Sequence, residues 1–229
     1  MKKSVIWLLV VFTSILTGCN DLDNYDAPNG GIYGTILDAE TNESVPLPVQ
    51  GSTGVIINLY EQNTSATKSI DFYAKYDGTY ENSQVFNGDY EVVVNGPFVQ
   101  TAEETVSVNG KTELNFNVIP YARIDASASA SGETVTITYK VSTTSPDFNV
   151  SEVYGYWNFA PGIDDSGSNY AGKVIVSETT GTIVFDLGDD ETFQSDQYKI
   201  NANGNKVYFR VAAKTEGVVN YSEIIQVNL

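Results

Sequence analysis

The stretch EVYGYWNFAPG (152–162) and the loop GIDDSGSNY (162–170) hold the densest set of side chains suited to ligand chemistry in this 229-residue chain. On an extended strand, alternate side chains leave opposite faces. Val153, Trp157 and Phe159 then point one way, and Tyr154, Tyr156 and Asn158 the other. Sugar rings present C–H faces that stack on aromatic rings, while amides and carboxylates bond their hydroxyls. Tyr154, Tyr156, Asn158 and nearby Tyr170 therefore form a candidate carbohydrate platform, with Trp157 in the same candidate set. A plainer reading stands beside it: Trp157 and Phe159 fill a core, as a middle-strand Trp does in many sandwiches, and the tyrosines line an ordinary strand face.

The same loop carries Asp164 and Asp165 among Ser and Asn side chains. Calcium takes roughly six to eight oxygen ligands, so these aspartates are weak metal candidates. The spacing argues against them, because Gly167 falls at the fourth position from Asp164 and an EF-hand needs its glycine at the sixth. A second acidic stretch, DLGDDETFQSD (186–196), has no ligand spacing either, and solvated loops explain both. No metal and no cofactor are expected.

The missing residues narrow the chemistry further. The chain has no histidine, one cysteine and one methionine. That removes Ser-His and Cys-His nucleophiles, zinc sites built on His or Cys, and haem ligation. Only carboxylate chemistry is left, and a glycosidase needs two acids about 5 to 9.5 Å apart in a cleft. None of the acids sits at a signature, so a non-enzyme is expected.

The single cysteine, Cys19, has its own context. Lys2 and Lys3 precede a largely apolar run from Val5 to Leu16. A membrane-crossing helix needs about 20 apolar residues, and this run is shorter, the length of a signal-peptide h-region. Leu16-Thr17-Gly18-Cys19 resembles the lipobox of bacterial lipoproteins. The resemblance implies cleavage after residue 18, lipid on the Cys19 sulfur and a membrane anchor. At about 0.8 kcal/mol per buried methylene, one acyl chain binds reversibly and two or three hold lastingly. Residues 19–30 (CNDLDNYDAPNG) read as a flexible tether. Its acids Asp21, Asp23 and Asp26 resemble the surface-export signal of Bacteroidetes lipoproteins, which implies an outer-membrane, surface-facing location, the leaflet depending on the host.

Loss of residues 1–18 would leave 211 residues, enough for one large or two small domains. Removing Lys2 and Lys3 takes the formal net charge from −17 to −19. So acidic a chain repels phosphate backbones, and nucleic acid is excluded as a partner.

The elements that must position these residues show a period of two. GIYGTILDA sets Ile32, Gly34 and Ile36 against Tyr33, Thr35 and Leu37. VIINLYEQ puts Val55, Ile57 and Leu59 on one face. YEVVVNG does so with Tyr90, Val92 and Val94, and LNFNV with Leu114, Phe116 and Val118. After Pro120 the pattern restarts in TVTITYKVS, EVYGYWNF, KVIVSE, GTIVFDL, KVYFRVAAK and SEIIQVNL. Gly, Asn and Asp clusters separate these runs, and no segment shows a 3.6 period. The fold class expected is all-β, with two small sandwiches in tandem at 31–120 and 121–229.

Residues 31–96 resemble the carboxypeptidase regulatory-like (transthyretin-like) domain, through GTILDAETNESVPL and YDGTYENSQVFNGDYEVVVNG. Asp77-Gly78 fits the turn before that family's aromatic strand, Tyr80 its aromatic position, and Gly88-Asp89-Tyr90 a later strand start. The resemblance implies a non-catalytic domain. Residues 121–229 are similar to fibronectin type III or immunoglobulin-like modules, through KVYFRVAAKTEGVVNYSEIIQVNL with Tyr208, Arg210 and the turn at 221–223. The whole arrangement resembles an uncharacterised Bacteroidetes lipoprotein family associated with polysaccharide uptake. That association implies an accessory or glycan-binding role, with oligo- or polysaccharide as ligand and an outer-membrane transporter complex as neighbour. The alternative is a spacer or docking module for such a transporter or another lipoprotein.

Overall fold

The computed structural model describes residues 26–51 and 54–229. The leader 1–18, Cys19 and the tether as far as residue 25 lie outside the described residues. Among those described, no helix is long and apolar enough to cross a membrane.

The first eight strands build two sheets that face each other. Strand β1 (Gly30–Asp38) pairs antiparallel with β4 (Thr79–Val85) and parallel with β7 (Lys111–Glu113) and β8 (Phe116–Val118). The opposing sheet runs β3 (Ile70–Tyr73), β2 (Ile56–Glu61), β5 (Gly88–Asn95), β6 (Ala102–Val108), all antiparallel. The alternation read from sequence sets the core: Ile32, Ile36, Val55, Ile57, Leu59, Tyr90, Val92, Val94 and Phe116 are all buried. Each such apolar side chain contributes roughly 1.5–3 kcal/mol over leaving it in water. Asp77-Gly78 makes the turn into β4. Gly78 has φ +81, and the Asp77 carboxylate accepts from Thr79 N at 3.0 Å.

Gly34 marks where β1 changes partner from β7 to β8. A Cβ at that position would stand 1.8 Å from the Leu114 carbonyl oxygen, so only glycine fits. Asn115 bridges the gap in the ladder by accepting from Thr35 N at 2.8 Å.

The connection from β8 to β9 (Ala122–Ser131) is Ile119–Tyr121. A three-stranded sheet of β13 (Thr180–Asp186), β10 (Thr134–Thr143) and β9 faces a five-stranded one. The latter orders β12 (Gly172–Val176), β11 (Val150–Asn158), β14 (Lys206–Thr215) and β15 (Val218–Tyr221), with β16 (Ile225–Asn228) also on β14. The acidic stretch 186–196 is not an open loop. It makes a helical turn at Leu187–Asp189 and then α1 (Glu191–Ser195), followed by α2 (Gln197–Ala202). Asp190 caps α1 by accepting from Thr192 N and Phe193 N, which supplies partners for orphan amides of the first turn.

Candidate functional site

The inward face of β11 fills the second core. Trp157 is fully buried, packs edge-on to Phe159 at 5.1 Å and to Phe193 at 6.0 Å, and donates its indole N–H to Asp190 at 3.1 Å. Its neighbour across the ladder is Gly172, where a Cβ would sit 2.1 Å from the indole nitrogen.

The outward face of β11 is not presented to solvent. Tyr156 is fully buried and Tyr154 is 4 % exposed, because the chain after β11 folds back over the sheet and makes a second small core with Ile163 and Tyr221. Tyr170 completes this layer, its ring 5.3 Å from that of Tyr156. A stacking surface needs free ring faces. Of the platform expected at Tyr154, Tyr156, Trp157, Asn158 and Tyr170, Trp157 lies in the inward core and Tyr154 and Tyr156 are packed in the outer layer, which leaves only Tyr170 and Asn158 half-buried. Asn158, half-buried at the strand end, accepts from the next amide, Phe159 N, at 2.8 Å.

Asp164 and Asp165 pin that layer in place. Asp164 is fully buried and accepts from Ser166 N at 2.9 Å, Asn169 Nδ2 at 2.8 Å and Val49 N of the first sandwich at 3.0 Å. Asp165 accepts from the Tyr156 hydroxyl at 2.7 Å and the Lys173 ammonium at 2.5 Å. Burial first, then the Asp165 carboxylate, pushes the Tyr156 phenol well above its ordinary range. Burial and the Glu152 carboxylate, which accepts from the Tyr154 hydroxyl, do the same to Tyr154. Among the described residues no group of three or more His, Cys, Asp or Glu is arranged to hold a metal ion.

Arg210, on β14, ties the layer to its surroundings. It is fully buried and donates to the carbonyls of Ile163 at 2.7 Å, Ser222 at 2.8 Å and, across the junction, Tyr76 at 3.5 Å. Its guanidinium stands 4.6 Å over the Tyr221 ring. Burial lowers its pKa to about 10, and burial pushes Tyr221 up to about 12. Both stay protonated at neutral pH, so the cation and its ring persist.

Between the sandwiches lies a cleft of about 550 Å³. At its base Arg123 of β9 grips Asp38 of β1, Nε to Oδ2 at 2.5 Å and Nη2 to Oδ1 at 2.8 Å, and reaches Glu40 at 2.8 Å. Burial raises the Asp38 pKa, but the Arg123 hydrogen bonds and charge and the amides of Glu40 and Thr41 outweigh it and hold the carboxyl below 3.8. Asn220 joins the halves from another side, donating to Pro97 O at 2.8 Å while accepting from Ala122 N at 3.1 Å. Thr41, Glu43, Asp125, Ser142 and Glu223 line the rest of the cleft.

Two cleft carboxylates are driven in opposite directions, the polarity an acid–base pair needs. Burial, with Asp77 and Glu43 adding repulsion, raises Glu223 above 4.5. Asp38, however, spends both oxygens on Arg123 and on Glu40 N, so neither is free to activate water. The arrangement is that of a joint with a polar rim. Sequence reading missed this site, since its residues come from four separate stretches, 38–46, 120–125, 142 and 220–223, and only the unusual scarcity of arginine, two in the chain, marks it.

By fold the chain is an all-β protein of two successive sandwiches. Residues 30–119 match the family described as "Protein of unknown function (DUF3823) N-terminal domain". None of the curated proteins matches the chain. Among solved structures, a DUF3823 family protein from Parabacteroides merdae is 22% identical, over 89% of this chain and 100% of its own, with TM-score 0.73. One from Bacteroides ovatus is 21% identical, over 87% and 98%, with TM-score 0.69. A Bacteroides uniformis protein described as a "putative carbohydrate binding protein" is 24% identical, over 88% and 100%, with TM-score 0.66. These likenesses run through both sandwiches and show a shared fold.

Proposed function

We propose that the chain is a non-catalytic, lipid-anchored protein of the bacterial cell envelope that binds oligo- or polysaccharide as an accessory of glycan capture. The observation that carries the reading is the interdomain cleft. Its rim offers hydroxyls of Thr41 and Ser142 and carboxylates of Glu43, Asp125 and Glu223, while its one low-pKa acid is locked to Arg123. Such a surface can bond sugar hydroxyls, and the Asp38 carboxylate is held by Arg123. The Bacteroides uniformis relative described as carbohydrate binding adds support through the fold it shares. Anchoring rests on Cys19 at the end of the lipobox-like segment, and the surface-facing location on the acids after it.

The test is affinity electrophoresis of the full-length chain in a zwitterionic detergent, through native gels cast with a panel of polysaccharides. Retarded migration in at least one gel is expected. Equal mobility in every gel and in the blank would refute glycan binding. Fatty-acid labelling that marks wild type and not Cys19→Ser would support the anchor, and an unlabelled wild type would remove it.

A second reading, a spacer that docks a transporter or neighbouring lipoprotein, is favoured by the clasp itself. Asp38–Arg123, Asp164–Val49, Arg210–Tyr76 and Asn220–Pro97 together stiffen the joint, as a spacer requires. Cross-linking on intact cells that yields a stoichiometric protein partner, with no sugar affinity, would favour it.

A further inference from the structure

The cleft supplies hydrogen-bonding groups but no free ring, because the aromatic side chain lining it, Tyr221, is buried. Stacking needs an exposed ring close to polar groups. Among the described residues the exposed aromatic side chains are Tyr60, Tyr73, Phe86 and Tyr198. Tyr60 and Tyr73 share one surface, the outward face of the β3-β2-β5-β6 sheet. Ladder register sets this face row by row. Tyr73, Ile56 and Asn95 stand abreast, then Asp71, Asn58 and Val93, then Tyr60 and Glu91. Strand spacing puts the two tyrosines about 14 Å apart.

From the row between the rings, a bonded series of polar side chains runs obliquely to Asn95, which stands abreast of Tyr73. Asn58 donates from Nδ2 to Asp71 Oδ1 at 2.7 Å, and Asn95 donates from Nδ2 to Asn58 Oδ1 at 3.0 Å. These bonds hold amides and a carboxylate in fixed orientation on a rigid sheet, so little side-chain entropy is left to lose on binding. Each keeps hydrogen-bonding capacity: an amide N–H on Asn58 and on Asn95, and further lone pairs on the Asp71 carboxylate, which accepts from Asn58 and Ser69. Hydrogen bonds from Ser69 and Asn58 keep the Asp71 carboxyl below its ordinary range, so it remains an acceptor at neutral pH.

Charge decides the class of ligand. None of β2, β3, β5 and β6 contains a lysine or arginine, whereas Asp71, Glu91 and Glu103 stand on the outward face. An anionic glycan, rich in uronate or sulfate, meets like charge there, and the strands themselves offer it no cation, the nearest in sequence being Lys68 and Lys75 beyond the ends of β3. A neutral chain meets acceptors and amides matched to its hydroxyls and rings matched to its C–H faces.

We infer that the outward face of this sheet, with Tyr60 and Tyr73 flanking the Asp71–Asn58–Asn95 row, is a binding platform for a neutral polysaccharide chain. The inference deepens the glycan-binding reading and rests on it.

The experiment uses the full-length chain in zwitterionic detergent. It runs in gels cast with neutral polysaccharides (a β-glucan, a xylan, a mannan, an α-glucan) and with polygalacturonate as the anionic arm. Wild type is expected to be retarded in a neutral gel and not in polygalacturonate. Tyr60→Ala with Tyr73→Ala is expected to weaken apparent affinity roughly ten-fold or more, the scale of a lost aromatic anchor. Tyr198→Ala, an exposed ring elsewhere, should leave migration as in wild type. An unchanged circular dichroism melt separates loss of binding from loss of fold, and Asn58→Ala serves as the second variant if the tyrosine pair does not fold. Neutral-gel retardation that survives both variants, or falls instead with Glu43→Gln and Asp125→Asn in the cleft, would overturn the platform and leave glycan binding standing. Retardation in polygalacturonate alone would overturn the neutral class. No retardation of wild type in any gel would overturn glycan binding, and the platform with it.

Discussion

Arg123→Ala tests the joint between the sandwiches. The change removes the partner of Asp38, a carboxylate only 4 % exposed. Loss of one member of a fully buried pair costs about 3–5 kcal/mol, and of an exposed pair about 0–1. The Arg123 side chain is 27% exposed and that of Asp38 5%, so the site lies between these limits, nearer the buried one. We expect a loss of about 2–3 kcal/mol at pH 7, or about 4–12 °C in melting temperature for a chain of this size. Glu40→Gln probes the exposed arm, because the Glu40 side chain is 57% exposed, and should move stability by less than about 0.5 kcal/mol. Urea is the appropriate denaturant, since guanidinium salt screens the charges under test. Far-ultraviolet circular dichroism follows both sandwiches, and Trp157, the one tryptophan after the leader, reports on the second.

The pH dependence sharpens this prediction. A carboxyl held below its unfolded value adds stability above that value, about 3.8 for Asp38, and loses it as pH falls through the folded pKa. In Arg123→Ala the opposing guanidinium is gone and burial, the largest influence on Asp38, acts with less opposition. Its carboxyl then rises and takes up a proton sooner. The gap between wild type and Arg123→Ala should therefore be largest near pH 7 and narrow as pH falls below about 4. A gap under about 0.5 kcal/mol at pH 7, or one that stays constant down to pH 3.5, would refute the reasoning.

Three other outcomes follow from the same packing. Tyr156→Ala should cost about 3–5 kcal/mol in a urea melt and Tyr156→Phe about 1–2, because the ring fills a closed layer and its hydroxyl bonds Asp165. Stability of Tyr156→Ala equal to wild type would mean that the ring is free. Gly34→Ala should yield a chain with a clearly lowered melting temperature, as a Cβ there collides with a backbone carbonyl; an unchanged melt would show that β1 and the 114–115 crossing do not meet so closely. Glu223 has a raised pKa, so its contribution to stability is full below 4.5 and is lost as pH rises through the folded value. Glu223→Gln should thus melt slightly above wild type at pH 7 and together with it at pH 4; a lower melt at pH 7 would reverse the sign.

Strands with clean alternation of large apolar residues were legible in the sequence. In β2 and β5 the inward positions named from the period are the buried ones, and the alternation of TVTITYKVS buries Val135, Ile137, Tyr139 and Val141 of β10. Strands built from small or polar residues were not. Strand β9 alternates Ala with Ser and Asp through DASASAS, and β6 reads AEETVSV, so neither carries a hydrophobic period strong enough to stand out. Two short helices escaped for a related reason: α1 and α2 have five and six residues, too few for a 3.6 period. The β11 tyrosines show a different limit. Their facing followed from alternation, and Trp157 does enter the core. Their burial depended on where residues 160–171 fold, which strand periodicity does not contain. Contacts between separate segments do not show in strand periodicity: Asp38 meets Arg123 only where the two sandwiches pack, and Tyr60 and Tyr73 share a face only through the β2–β3 register.

Equilibrium titration of the full-length chain with a retarding polysaccharide, followed by sizing of that polysaccharide, tests the central claim most directly. Saturable binding is predicted, with chain length and reducing-end content unchanged after prolonged incubation. Release of new reducing ends would contradict the non-catalytic reading, and absence of saturable binding to any neutral or anionic glycan would contradict the claim that this protein recognises sugar.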